Sequence, residues 1–345
     1  MYQKILGGLL GGAAGDAMGS PTEARSTRQI LKCFGHAVCD FEKPPADSFG
    51  AGNEAGQVTD DFSAAYFIAK RIVEHDGFIN EGIVMEAIIE WSQHSVFFDR
   101  FAGPTTRLAI QKFKGETINE DRGLEVLVHQ ATNGSGMKIS PIGLLNPGNL
   151  DQAIADAVTV TLPTHDNHLA ISGACAVAAA VSRAMMPDAD VYNVVQAGLY
   201  GAARGEAIGL QVGREVAGPS VVRRMEMAVE IALGAGNPWE KMVEIEDRIG
   251  SGLHVAEAIP AAFGLFVANN GDAMGSIFGG VNIGYDTDTV ATIAGAIAGT
   301  FKGADAFPSH YLAFLEERNG LDISGLAAGI EKIALRRYEG GTCNA

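Results

Sequence analysis

Asp286-Thr287-Asp288-Thr289-Val290-Ala291-Thr292-Ile293-Ala294-Gly295-Ala296-Ile297-Ala298-Gly299-Thr300-Phe301 is the stretch that decides the fold class. Carboxylates alternate with hydroxyls, and then Val290, Ile293, Ala294, Ile297 and Phe301 recur at i, i+3, i+4, i+7 and i+11, the spacing of one helix face. Far upstream, Thr59-Asp60-Asp61 leads into Phe62, Ala65, Tyr66 and Ala69 in the same manner. Both acidic clusters therefore read as first turns of buried helices. Asp and Thr at a helix start also serve as caps and suit the helix dipole, which is a sufficient account of either cluster alone. Two clusters of matched composition point further. If they meet, their carboxylates repel, by on the order of 4 kcal/mol for one pair at ~4 Å and an effective dielectric of about 20. No Lys or Arg lies near either cluster in sequence, so a divalent cation is the simplest counter-charge. Oxygen-only ligands favour Mg, Ca or Mn over zinc.

Outward from this stretch, glycine spacing supplies a packing clue. Gly295, Gly299 and Gly303 recur every four residues, and so do Gly7, Gly11, Gly15 and Gly19. Such a ridge runs nearly along one helix face. Each interior glycine costs up to ~1 kcal/mol relative to Ala, which close backbone approach offsets. The two ladders are expected to pack together, bringing Asp16 and Glu23 near the acidic clusters.

Helical patterns dominate the rest of the chain, over 60–75, 81–94, 166–186, 219–233, 239–249, 255–269, 287–301 and 323–336. No strand–helix rhythm appears, which argues against a doubly wound sheet. Gly- and Pro-rich composition predicts loops over 20–58, 133–147 and 206–218. The 345 residues are 47% hydrophobic and 19% charged, enough for a sizeable core. A net charge of −16 excludes a basic stripe for nucleic acid. Cys33, Cys39, Cys175 and Cys343 lack metal-ligand spacing and are expected as free thiols in a reducing cytoplasm. The apolar run 169–186 contains Ser172, Gly173, Ser182 and Arg183, so a buried helix is expected there, with no membrane span.

Five segments, in order, resemble the ADP-ribosylglycohydrolase family, of the dinitrogenase reductase activating glycohydrolase type. They are Gly11-Gly12-Ala13-Ala14-Gly15-Asp16-Ala17-Met18-Gly19 with Glu23; Thr59-Asp60-Asp61; Asn133-Gly134-Ser135-Gly136-Met137-Lys138 with Pro141-Ile142-Gly143; Thr164-His165; and Gly284 to Thr289 with Gly295 to Gly299. Together they span about residues 4 to 303. The resemblance implies an all-α fold, a compact orthogonal helical bundle forming a single domain over 1–345, and a dinuclear centre of magnesium or manganese. It implies hydrolysis of the C1 glycosidic bond of an ADP-ribosyl group on a protein or a small molecule. Carried over, Thr59, Asp60, Asp61, Asp286, Asp288 and Thr289 would hold the metals. Glu23 and Asp61 would be catalytic, with Glu23 as a further ligand or the general base. Asn133, Gly134, Ser135, Gly136, Met137 and His165 would contact substrate. A monomer is favoured.

Four departures bear on specificity. Phe62 stands where the family usually has Thr, Lys138 where it commonly has Arg, and Tyr285 where Gly is common. Phe101 occupies the position of an Asp thought catalytic in the arginine-specific branch, and Asp99 is out of register. These keep a hydrolase of small N-ribosides as the alternative. A non-catalytic ADP-ribose reader or structural protein is less favoured, because the metal carboxylates are all retained.

Overall fold

A computed structural model describes residues 1–116 and 131–342. The fold is all-α, and β pairing among the described residues is confined to isolated bridges such as Ser26–Gly284 and Thr132–His254. In chain order the helices are α1 (Tyr2–Gly19), α2 (Thr27–Phe34), α3 (Asp60–Glu74), α4 (Glu81–Trp91), α5 (Ser95–Phe101), α6 (Pro104–Phe113), α7 (Gly134–Met137), α8 (Ser140–Leu144), α9 (Leu150–Thr161), α10 (His168–Ala184), α11 (Val191–Val212), α12 (Val221–Leu233), α13 (Pro238–Arg248), α14 (Val255–Ala268), α15 (Ala273–Ile283), α16 (Thr287–Lys302), α17 (Tyr311–Asn319) and α18 (Ile323–Thr342). Local sequence sets many of the starts. Asn80, Asn149, Asn167, Asp190, Ser220, Asn237 and Asp272 each accept a hydrogen bond from a first-turn amide of the helix that follows.

The centre of the molecule is the α1–α16 pair, which runs antiparallel with backbones in contact. A Cβ on Gly7 would lie 2.3 Å from the Gly299 carbonyl oxygen, one on Gly11 2.1 Å from that of Gly295, and one on Gly15 2.2 Å from that of Ala291. At Gly19 the obstacle is the Cα of Asp288, at 2.4 Å. The two glycine ladders thus form one seam, and the seam ends at the second acidic cluster. Buried side chains from α1, α3, α10, α14 and α16 join one continuous core. Every residue of α10 except Arg183 is buried, as expected for a helix that is apolar all round inside a large domain. No helix among the described residues is long and apolar enough to cross a membrane.

The three expected loops are partly helical. The 20–58 segment contains α2, started by a Ser26–Gln29 capping box. The 133–147 segment folds into α7 and α8, with Pro141 in the first turn of α8. The 206–218 segment begins inside α11, whose Gly201, Gly205 and Gly209 sit against Cys175 and His168 of α10 at distances no Cβ would allow. Gly209, which reads as a loop former, is a contact residue between helices. The glycine-rich α15, and α9 and α17, also went beyond the periodic stretches.

Candidate functional site

Three helix ends converge on one spot: the exit of α1, which turns through Ser20–Thr22 to Glu23, and the starts of α3 and α16. The Thr59 hydroxyl caps α3 and lies 3.4 Å from Asp61 Oδ2 and 3.5 Å from Asp288 Oδ2, so the two acidic clusters touch. Oxygens of Glu23, Asp286 and Asp288 all lie within 4.8 Å of one another. Asp16 stands behind them, fully buried, and accepts from the amides of Thr59 (2.9 Å) and Phe62 (2.8 Å). It fastens the Thr59–Asp61 turn to α1.

Capping does not account for these acids. Asp286 occupies the N-cap position of α16, yet its side chain caps nothing. Its carboxylate instead accepts a short hydrogen bond from Asn133 Nδ2. Asp61 Oδ1 is buried without any hydrogen-bond partner. Burial pushes every carboxyl of the group up: Asp16 to about 6 and Glu23 to about 8, with Asp60, Asp61 and Asp288 well above the usual range and Asp286 raised. For Glu23, the charges of Asp286, Asp60 and Asp16 add to the effect of burial. So many desolvated carboxyls demand a positive partner. The donor set is oxygen only, carboxylates plus the Thr59 and Thr289 hydroxyls, and an orphaned carboxylate oxygen is among it. It fits a hard divalent cation.

Lys138, from the α7–α8 turn, is the buried ammonium facing this group. Its charge acts on Asp60, while burial pushes its own pKa down to about 7. One weakened ammonium does not balance six carboxyls. Lys138 also begins a chain of side chains: its Nζ donates to Thr164 Oγ1 (2.7 Å), which lies 2.8 Å from His165 Nδ1, whose Nε2 lies 3.0 Å from Thr132 Oγ1. Burial, with Lys138 nearby, holds His165 well below the usual imidazole range, so the ring is neutral. Thr164 Oγ1 also lies 3.5 Å from the Thr161 carbonyl, so its single hydroxyl hydrogen has two acceptors in reach.

The acids floor a cavity of about 570 Å³. Glu23, Asp60, Asp61, Asp286, Asp288 and Thr289 lie at its base; Thr132, Asn133, Gly134, Met137 and His165 line one side; Phe49, Phe101, Leu253 and Tyr285 line the remainder, with Arg100 the one guanidinium among the lining residues. Ser135 and Gly136, expected at the substrate, face the other way. Ser135 is fully buried, and a Cβ on Gly136 would meet Ile259 at 2.3 Å. The reason is helical: α7 puts residues 134 and 137 on one side and 135 and 136 on the other. Phe62 is in the core beside Gly12, its ring 3.4 Å from the position of an added Cβ, and does not line the cavity, though its amide donates to Asp16. Asp99 is exposed and outside the cavity, whereas Phe101 lines it. Sequence reading named Thr164 and Lys138 only as motif members and missed the Thr132 hydroxyl, the Lys138–Thr164 hydrogen bond and the countercharge role of Lys138, since no local pattern reports these meetings.

Comparison with known proteins agrees with this architecture. A family model described as ADP-ribosylglycohydrolase matches residues 1–341. An uncharacterized protein of Escherichia coli K12, YegU, is 29% identical over 97% of this chain and 98% of its own length. Human ADP-ribosylhydrolase ARH3 is 22% identical over 96% of this chain and 93% of its own length. The solved structure of an ADP-ribosylglycohydrolase-related protein complex superposes with a TM-score of 0.66 at 21% identity, covering 96% of this chain and 98% of that one, a likeness of fold. Since the family match runs through every segment that builds the acid-floored cavity, this chain belongs to the ADP-ribosylglycohydrolase family.

Proposed function

We propose that the protein is a single-domain, metal-dependent hydrolase of the C1 glycosidic bond in ADP-ribosyl or related ribosyl substrates. The observation that carries this reading is the convergence of five carboxyls, Glu23, Asp60, Asp61, Asp286 and Asp288, at the floor of a cavity, with Asp61 Oδ1 unpartnered and Asp286 released from capping. Thr59, Asp60, Asp61, Asp286, Asp288 and Thr289 would hold two divalent ions, Mg or Mn, with Glu23 beside them. Bound there, such ions supply Lewis acidity toward ribose hydroxyls and water.

The protein's own groups do the rest. Asn133, Gly134, Met137 and His165 contact the substrate and hold C1 over the acids. Glu23 lines the cavity beside the ligand acids and, ionised once a cation offsets its neighbours' charge, is placed to exchange a proton. It takes a proton from water as the water oxygen bonds to C1. The bond from C1 to the leaving atom breaks with its electron pair on that atom, which collects the proton. Charge at C1 passes through an oxocarbenium-like state, which the surrounding carboxylates favour.

A second reading, hydrolysis of small N-ribosides, is favoured by the aromatic lining and by Phe101 standing in the cavity. The test is product release from ADP-ribosyl-arginine, ADP-ribosyl-serine, O-acetyl-ADP-ribose and simple N-ribosides, with Mg or Mn and again with EDTA. EDTA-sensitive ADP-ribose release is expected. Ribose release from N-ribosides alone moves the protein to the second reading, and binding of ADP-ribose with no turnover of any substrate sinks the hydrolase.

A further inference from the structure

Tyr285 is held in a place that disfavours it. Its φ of 61° lies in the left-handed region, where a bulky side chain is strained and glycine is at ease. Its side chain is 54% exposed, and its hydroxyl makes no hydrogen bond among the described residues. Nothing in the protein's own stability accounts for a tyrosine here. The ring is nevertheless seated. A Cβ on Gly252 would fall 2.3 Å from Tyr285 Cε1 and 2.5 Å from Cδ1, so only the bare backbone of Gly252 admits the ring edge. The backbone is pinned as well: Tyr285 N donates to the Arg25 carbonyl (2.8 Å) and Ala24 N donates to that of Tyr285 (2.7 Å). These pairs join the residue after Glu23 to the residue before Asp286. An aromatic ring, fixed from behind and lining the cavity, therefore stands next to Asp286 in sequence and is paired through its backbone with the residue after Glu23.

We infer that Tyr285 is a stacking wall for the group attached to ribose C1, and that the preferred substrates are ribosides with a planar aromatic leaving group joined through nitrogen. The inference rests on the hydrolase reading for its chemistry but on geometry alone for binding. A planar base on the tyrosine face is gripped beside the acids, while an O-linked acyl or seryl group has no face to offer. Phe49, Phe101 and Leu253, which line the same cavity, extend the apolar surface. In the reaction the C1–N bond breaks with its electron pair on the ring nitrogen, water adds to C1, and the water's proton ends on the base.

The test compares the full-length protein with Tyr285→Gly and Tyr285→Phe. Calorimetry measures binding of adenosine and O-acetyl-ADP-ribose, and product release is followed for the same compounds. Stacking on one aromatic ring predicts a loss of about 5- to 150-fold in adenosine affinity and in kcat/KM for Tyr285→Gly. Tyr285→Phe should restore both, O-acetyl-ADP-ribose should change little, and the unfolding midpoint of Tyr285→Gly should not fall, because glycine relieves the backbone. An equal loss for O-acetyl-ADP-ribose would put the ring under the distant adenine and overturn the leaving-group assignment. No loss for adenosine, no adenosine binding by the unsubstituted protein, or a lowered midpoint that tracks the affinity would overturn the inference entirely. If adenosine binding depends on Tyr285 but nothing is hydrolysed, the hydrolase reading fails and the stacking wall stands.

Discussion

Gly11 and Gly12 are neighbours on α1, and the same substitution should act on them with opposite signs. A Cβ on Gly11 would sit 2.1 Å from the Gly295 carbonyl oxygen and 2.7 Å from its carbon, against 3.4 Å for ordinary contact. Both obstacles are helix backbone, which has no rotamer to swing away, so α1 and α16 must part by about 1.3 Å. Overpacking of this kind costs ~1–3 kcal/mol, and a rigid obstacle puts the cost toward the top of that range. Alanine's helix preference returns up to ~1 kcal/mol. Gly11→Ala should therefore destabilise by about 2 kcal/mol. On Gly12 the nearest atom is Phe62 Cδ2 at 3.4 Å, already an ordinary contact. Gly12→Ala should keep most of the propensity gain and stabilise by roughly 0.5–1 kcal/mol. Urea unfolding followed by far-UV circular dichroism, in EDTA for both variants, reads the difference of about 3 kcal/mol. If Gly11→Ala is as stable as Gly12→Ala, the helices do not meet backbone to backbone, and the seam argument fails.

Asp288→Ala should abolish divalent binding, measured by calorimetry, and turnover, while helical content stays nearly intact; full activity in that variant would remove the metal reading. Asp16→Asn replaces a charged acceptor of two amides by a group that matches them poorly. It should cost about 2–3 kcal/mol of stability and weaken metal affinity ~10–100-fold, since Asp16 orients the Thr59–Asp61 turn without reaching the cavity. Metal-free protein should lose stability as pH rises from about 4 through about 8. In that window the buried carboxyls, raised to about 6 for Asp16 and about 8 for Glu23, keep protons that the unfolded chain has released. His165 and His254, held low, act the other way below the ordinary 6.5, and Lys138, lowered to about 7, does so above pH 7, but these are three groups against six. A urea midpoint that climbs between pH 5 and pH 8 in EDTA would contradict this, and saturating Mg or Mn should flatten the slope.

The parts of the fold that could be read from sequence are those where a local period carries the information. Val290, Ile293, Ala294, Ile297 and Phe301 announce α16 by spacing, and the two glycine ladders announce the seam, because a four-residue glycine period has a geometric consequence wherever it falls. Glu23 follows from the seam, being one turn past Gly19. The failures have the opposite cause. Gly209 reads as loop because glycine serves both turns and close helix contact, and only the partner, α10, tells which. Ser135 and Gly136 belong to a motif that reads as one unit, yet a single helical turn divides it between cavity and core. Lys138, Thr164 and Thr132 meet through side chains on separate segments, and no spacing rule reports such a meeting.

The seam and the site are one construction. Gly19 lacks a side chain at the point where the Asp288 backbone arrives, with 2.4 Å between the Asp288 Cα and the place a Cβ would take. Any larger residue there would push the start of α16 away from the end of α1, and with it Asp286 and Asp288 away from Glu23, whose oxygens now lie within 4.8 Å of theirs. The Thr22 hydroxyl locks the same corner, donating to the Val281 carbonyl at 2.8 Å and lying 3.0 Å from Thr287 Oγ1. Six desolvated carboxyls strain this corner apart when no cation is bound. The backbone contact of α1 with α16 holds it together, because a glycine seam contributes close packing along its whole length and carries no charge of its own. Loosening the seam far from the acids, at Gly7 or Gly11, should therefore weaken divalent binding even though neither residue approaches the cavity. Fold stability and metal affinity should fall together along α1, in order of each glycine's closeness to the α16 backbone.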